Sequence, residues 1–308
     1  MRFSQWRSRR LKWHHLKMNP SDDFRKFVFE VEYPQHCIHC EGLNLLIKEP
    51  KHHPSYEITT QCNLNCIYCY SKVALLYRTA PKPGYYGDLN PKVITISQYG
   101  EPLLAGVNRV ARIIEVLRSR FGDVRIDLQT NGTIGFTELD GLVDIVMISL
   151  DVSSSESYKK ITGIDRFNDV MKNIEKAVDM DCTVTVRSVH LPGVNDEELV
   201  ELAEMLGEIS IDEHFIQPCS VYSECLDDLQ RLGFDLERSK SLYNYLQIVY
   251  RCSRFVKAVI PGCIKVALNE ILRQLEDFED LKFVRRSAIA RNPPQIRRDW
   301  RFVVELGY

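Results

Sequence analysis

No apolar run in this 308-residue chain approaches the roughly 20 residues that span a bilayer, so no transmembrane helix is expected. The N-terminal MRFSQWRSRRLKWHHLK is basic but has no apolar stretch, so it does not read as a secretory signal, and a cytoplasmic protein is expected. Net charge is small as well: at −2 it creates no global field of the kind that gathers nucleic acid. Internal repeats and low-complexity segments are missing, which sets aside solenoids and disordered arrays. Hydrophobic content of 44% and charged content of 27% are those of an ordinary globular protein long enough for a sizeable core. Cysteine, by contrast, is plentiful. Ten of them in a chain of this kind point to metal ligation or redox chemistry rather than a disulfide framework.

The middle of the chain alternates short β-rich runs with amphipathic helical stretches. Strands are predicted at 55–59, 93–97, 124–128, 144–150, 183–189 and 213–217, each rich in Val, Ile or Thr and bounded by Gly, Asn, Asp or Pro. Between them, Phe167, Val170, Met171, Ile174 and Val178 recur at helical spacing. A second helix opens at Asn195 and Asp196, read as caps, and carries Leu199, Leu202, Ala203 and Leu206 on one stripe. Six strand–helix units in order imply a parallel sheet with right-handed crossovers, either open and doubly wound or curled into a partial barrel. Ligands of both architectures bind at the carboxyl ends of strands.

The first predicted strand runs directly into TTQCNLNCIYCYSKV, where Cys62, Cys66 and Cys69 fall within eight positions and no fourth cysteine is near. Structural zinc prefers four ligands, commonly two C-x2-C pairs. Three thiolates are one short of the four that close an iron–sulfur cubane, which leaves one iron open to another ligand. This C-x3-C-x-aromatic-C loop resembles the signature of the radical S-adenosylmethionine (SAM) superfamily. ISQYGEPLL resembles that family's Gly-Glu-Pro segment, with Tyr99 in place of the usual first glycine, and implies that Gly100 and Glu101 meet the amino group of SAM. DLQTNGT resembles its Thr-Asn-Gly turn and marks Thr130 and Asn131; ISLD resembles the next strand end, where Ser149 and Asp151 would face the ribose. VTVRSVHLPGVNDEE is similar to the matching stretch of glycyl-radical-enzyme activating enzymes, which implies that Arg187 contacts the SAM carboxylate.

The resemblance, which covers roughly residues 54–220, implies an α/β fold: a partial (β/α)6 barrel with N- and C-terminal extensions. The expected division is 1–53 (an extension), 54–234 (the barrel) and 235–308 (mainly helical). It also implies a [4Fe-4S] cluster on Cys62, Cys66 and Cys69, reduced by ferredoxin or flavodoxin. That cluster would cleave SAM to a 5′-deoxyadenosyl radical that abstracts hydrogen from the substrate.

Outside this stretch, Cys37 and Cys40 form a C-x2-C pair that, with two of Cys219, Cys225, Cys252 and Cys263, would make a second iron–sulfur cluster or a zinc site. Buried free thiols are the plain alternative for all of them, and Cys182 is read as core. Among the histidines, His36, His39, His52 and His53 read as linker residues, and His190 as a candidate for the site. Tyr85 and Tyr86 read as a loop suited to a lid or to partner contact. For the substrate, a protein or peptide is favoured by the likeness to activating enzymes. RNA is the alternative suggested by the basic termini with Trp6, Trp13 and Trp300. A small metabolite is the third class, and an iron–sulfur or zinc scaffold without catalysis is the non-enzymatic one.

Overall fold

The computed structural model describes residues 20–289 and 294–306. Trp6, Trp13 and the N-terminal basic cluster lie outside them. Nine strands form one sheet: β1 (Ser55–Glu57), β2 (Gly84–Tyr86), β3 (Val93–Ile96), β4 (Arg125–Thr130), β5 (Ile145–Ser149), β6 (Thr183–His190), β7 (Glu213–Pro218), β8 (Ala258–Val259) and β9 (Trp300–Phe302). Their spatial order is β8-β7-β6-β5-β4-β3-β1-β2-β9. The run from β1 through β3 to β8 is parallel throughout. All six predicted strands are present, with ends within two residues of expectation.

The helices are α1 (Pro20–Glu30), α2 (Tyr70–Leu76), α3 (Val107–Phe121), α4 (Ser155–Thr162), α5 (Phe167–Ala177), α6 (Asp196–Ile209), α7 (Ser223–Arg231), α8 (Leu236–Ser239), α9 (Leu242–Cys252) and α10 (Gly262–Gln274). Along the parallel run the strand order rises steadily in one direction, with no switch point, while antiparallel β2 and β9 extend the sheet beyond β1. Right-handed crossovers then put the helices on one face and leave the other to line a cavity, which is the partial-barrel solution rather than the doubly wound one. The inner strands are buried on both faces, as VITI and IVMIS require. Leu199, Leu202, Ala203 and Leu206 of α6 are fully buried against them.

Three expectations need correction. Tyr85 and Tyr86 do not form a lid: they lie in β2, antiparallel to β1, and the Tyr85 ring is wholly buried, stacked on Phe302 at 5.1 Å. The local sequence is turn-like, but an edge position beside β1 gives those rings a core to enter. Asn195 occupies the N-cap position of α6 without capping it. Its amide instead donates to the carbonyls of Asp151 and Val189 at 2.9 Å each and accepts the Leu191 N–H at 2.7 Å, bracing two strand ends. His190 is buried away from any site, bonded to Asp196 at 2.7 Å and stacked on Tyr245.

The two ends of the chain pack together. Phe24 of α1 meets Tyr243 and Tyr250 of α9 edge-on at 5.3 and 5.4 Å, and the Ile260 N–H donates to the Glu32 carbonyl at 3.0 Å. Antiparallel β9 closes on β2. No helix among the described residues is long and apolar enough to cross a membrane.

Candidate active site

The cysteine loop leaves β1 and is tied to the neighbouring unit by its backbone. The Asn65 and Ile67 N–H groups donate to the carbonyls of Thr162 and Ile161 at the end of α4, at 2.7 and 3.0 Å. Gly163 follows in the left-handed region at φ +84°, and its missing Cβ leaves room for Asn65 at 3.2 Å. Cys69 stands at the N-cap position of α2, which fixes where the third thiol leaves the loop. Cys62 is exposed, while Cys66 and Cys69 are half-buried, and all three are free thiols. Burial pushes the Cys66 thiol far up, helped by the nearby Asp151 carboxylate. Thiols so placed become thiolates when a bound cation compensates their charge.

The other expected residues converge on this loop, several of them as braces. Glu101 is wholly buried and both its oxygens are engaged. One accepts from the Leu103 N–H and the Thr130 hydroxyl at 3.0 Å each, and the other from the Asn131 N–H at 2.6 Å. Its carboxylate therefore ties the Gly-Glu-Pro turn to the Thr-Asn-Gly turn. Burial raises its pKa to about 7 despite those bonds. Gly100, at φ +64°, packs so closely that a Cβ would come within 2.4 Å of the Thr59 carbonyl oxygen; only glycine lets the turn lie on the cysteine loop. Asn131 donates to Asn63 at 2.8 Å and reaches the Cys62 sulfur at 3.6 Å.

Asp151 is a brace too, accepting the Tyr68 hydroxyl and, at 2.7 Å, the Val189 N–H. It thereby links the aromatic residue of the cysteine loop to β6. Ser149 ends β5, half-buried and level with Arg187. Arg187 donates to the Gln129 side chain at 2.9 Å.

A cavity of about 820 Å³ lies beside the loop. Of the residues expected to bind SAM, Arg187 lines it; the others do not. The lining also includes Tyr70 of α2, His52, Gln129, Arg286 and Arg298, and the three thiols Cys37, Cys40 and Cys263. Arg286 donates to the carbonyls of Ser239 and Cys219 at 2.7 and 3.1 Å, and Arg298 to that of Thr79 at 2.6 Å. Arg187, Arg286 and Arg298 form no ion pair with a carboxylate among the described residues. Burial pushes His52 down to about 4, so it is neutral near pH 7. Sequence reading missed Gln129, Tyr70, Arg286 and Arg298 as site residues. The two arginines stood inside the C-terminal basic cluster, whose members look alike until the fold sorts them. Arg297, for example, is spent on Glu41 at 2.8 Å and Arg301 on the Gly87 carbonyl at 3.1 Å.

Comparison with known proteins gives a match of residues 56–206 to the family model described as the radical SAM superfamily. The Methanocaldococcus jannaschii protein named "Uncharacterized protein MJ0804" is 41% identical over 265 residues, which is 83% of this chain and 89% of that one. A "Probable GTP 3′,8-cyclase" from Pyrococcus abyssi is 34% identical over 162 residues, 50% of this chain; the match spans about half of that relative, 52%. A solved structure of TYW1 with a lysine-pyruvate adduct bound has 17% identity and a TM-score of 0.48, covering 76% of this chain and 81% of that one.

Proposed function

Because the chain belongs to the radical SAM superfamily, we propose that its Cys62, Cys66 and Cys69 hold a [4Fe-4S] cluster and that its cavity directs radical chemistry at an anionic small molecule of nucleotide size. The chain is a radical SAM enzyme; such enzymes draw on an external electron donor, and their bound cluster supplies the electron that cleaves SAM. The donor set fits that cluster. Three thiols leave the carboxyl end of β1 on a braced loop, and a fourth cysteine is absent from it. In this reading residues 54–234 are the catalytic core. Arg187, which donates to the neutral amide of Gln129, pairs with the carboxylate of SAM, and the Glu101 and Asp151 braces keep the loop in place.

The observation that carries the substrate class is the set of guanidinium groups of Arg187, Arg286 and Arg298 around one cavity, none with a carboxylate partner among the described residues. A planar guanidinium in a cavity matches phosphate and carboxylate oxygens in pairs. A space of about 820 Å³ is of the size that encloses a small molecule. The likeness to proteins named GTP 3′,8-cyclase supports the same class. This reading replaces the protein or peptide substrate expected from the likeness to activating enzymes. GTP is the first probe. Titration of the anaerobic protein with GTP, in the presence of SAM, is expected to give saturable binding that weakens about 10- to 100-fold in Arg286→Ala, the worth of a lost charged hydrogen-bond pair. Failure of GTP, other nucleotides and small carboxylates to bind, alongside binding of a peptide, would reverse the assignment.

A further inference from the structure

Cys37 and Cys40 come together through a tight turn. The Cys40 N–H donates to the Cys37 carbonyl at 3.0 Å, and His39 between them sits in the left-handed region at φ +73°. A non-glycine residue held there stores strain that the surrounding structure must outweigh, and such strain gathers at functional sites. Across from this turn, α10 begins at Gly262 and places Cys263 in its first turn. The Gly262 N–H donates to the Cys37 sulfur at 3.4 Å. Two glycines collar the thiols. A Cβ on Gly42 would stand 3.3 Å from the Cys263 Cβ and 3.4 Å from the Cys40 sulfur, and one on Gly262 would stand 3.0 Å from the Cys37 Cβ. None of the three is in a disulfide, and all three line the cavity. The remaining candidates go elsewhere: Cys252 is buried with its thiol on the Leu199 carbonyl, and Cys219 and Cys225 are buried in the apolar core.

We propose that Cys37, Cys40 and Cys263 are the protein ligands of a second iron–sulfur cluster of the cubane type, held at the wall of the cavity. The turn and the first residues of α10 bring the three thiols to one wall of the cavity, where a cationic inorganic core would compensate thiolate charge. A single zinc ion is disfavoured. Structural zinc takes four ligands in a closed tetrahedron. Among the described residues, no three His, Cys, Asp or Glu side chains are set to hold one metal ion. All three ligands fall outside the segment matched by the superfamily model, so the inference rests on this chain's own geometry.

Iron and acid-labile sulfide should be counted in the full chain, purified anaerobically and reconstituted. The wild type is expected to carry about eight irons, and the Cys62/Cys66/Cys69→Ala variant about four with matching sulfide. Adding Cys263→Ser to that variant should remove them, whereas adding Cys252→Ser should not. Melting curves by circular dichroism confirm that each variant is folded. Should Cys263→Ser fail to fold, the reduced loop variant is read directly by electron paramagnetic resonance, where a cluster signal is expected. A loop variant that holds no iron, or one zinc without sulfide, overturns the proposal. The proposed loop cluster is judged separately, by whether a Cys37/Cys40/Cys263→Ser variant still keeps about four irons.

Discussion

The two cysteine trios differ in how they are assembled. Cys62, Cys66 and Cys69 lie on one loop whose backbone is tied to α4 and whose side-chain partners come from the adjacent strand end. Cys37, Cys40 and Cys263 come from the two ends of the chain, brought together only where α10 meets the N-terminal extension. The first arrangement survives any folding that forms β1 and its neighbours. The second depends on docking: the Gln35 N–H on the Glu213 carboxylate at 3.1 Å, His36 on buried Asp127 at 2.7 Å, and Lys265 on the Phe29 carbonyl at 2.8 Å. A local ligand set needs little tertiary structure. A split one reports on it, because the loop-closure entropy between its parts is recovered only when the whole fold is made.

The largest expected effect tests the functional side of that contrast. Cys66→Ala should reduce SAM cleavage, followed as methionine and 5′-deoxyadenosine, to the reductant background, a loss of at least about 10³-fold. Iron bound by the second trio should remain. Comparable loss of both irons would mean that the trios are not independent. Glu101→Gln removes a buried acceptor from three donors and should cost about 2–3 kcal/mol by denaturant titration, with the loop cluster lost first. An unchanged midpoint would end the bracing role given to this carboxylate.

Arg187→Ala should weaken SAM binding about 10- to 100-fold in equilibrium dialysis, with Arg187→Lys between the two because an ammonium cannot reproduce the paired donors. Equal affinity in all three would remove Arg187 from the SAM site. The smallest effect concerns β7, the strand that receives the extension. His214 there is fully buried, with the Ser188 hydroxyl at 2.8 Å, and burial pushes it down to about 3. A base whose folded pKa lies below its unfolded value of about 6.5 stabilises the fold above that value. The contribution is lost as pH falls toward the folded pKa. At pH 5 His214 should therefore cost up to about 2 kcal/mol relative to pH 8, a slope that His214→Gln abolishes in urea melts. An identical pH slope in the variant would show that the ring titrates freely.

Much of the barrel was legible because its inner strands are continuous β-branched runs and α5 and α6 carry clean apolar stripes, so local pattern and global burial agree. Where they disagreed, the reading missed. β2 is only three residues, Gly84–Tyr86, in a turn-like context, and it is a strand because β1 and β9 flank it. Glu101 and Asp151 brace the surroundings of the cysteine loop, a part that no local pattern spells out. A sequence shows that a carboxylate stands at a strand end, whereas the number of N–H groups already pointing at it is a tertiary fact. The C-terminal arginines likewise divided into tethers and cavity cations only through their partners.

By itself the sequence determined the cysteine loop, the order of strand and helix, and the superfamily, because each is written in residues close together along the chain. Tertiary structure alone decided that Cys263, rather than Cys219, Cys225 or Cys252, joins Cys37 and Cys40, and that Arg286 and Arg298 share a cavity with Arg187. The physical reason is distance along the chain: spacing rules constrain residues a few positions apart, and groups hundreds of positions apart meet only where burial and backbone hydrogen bonds have already placed their elements.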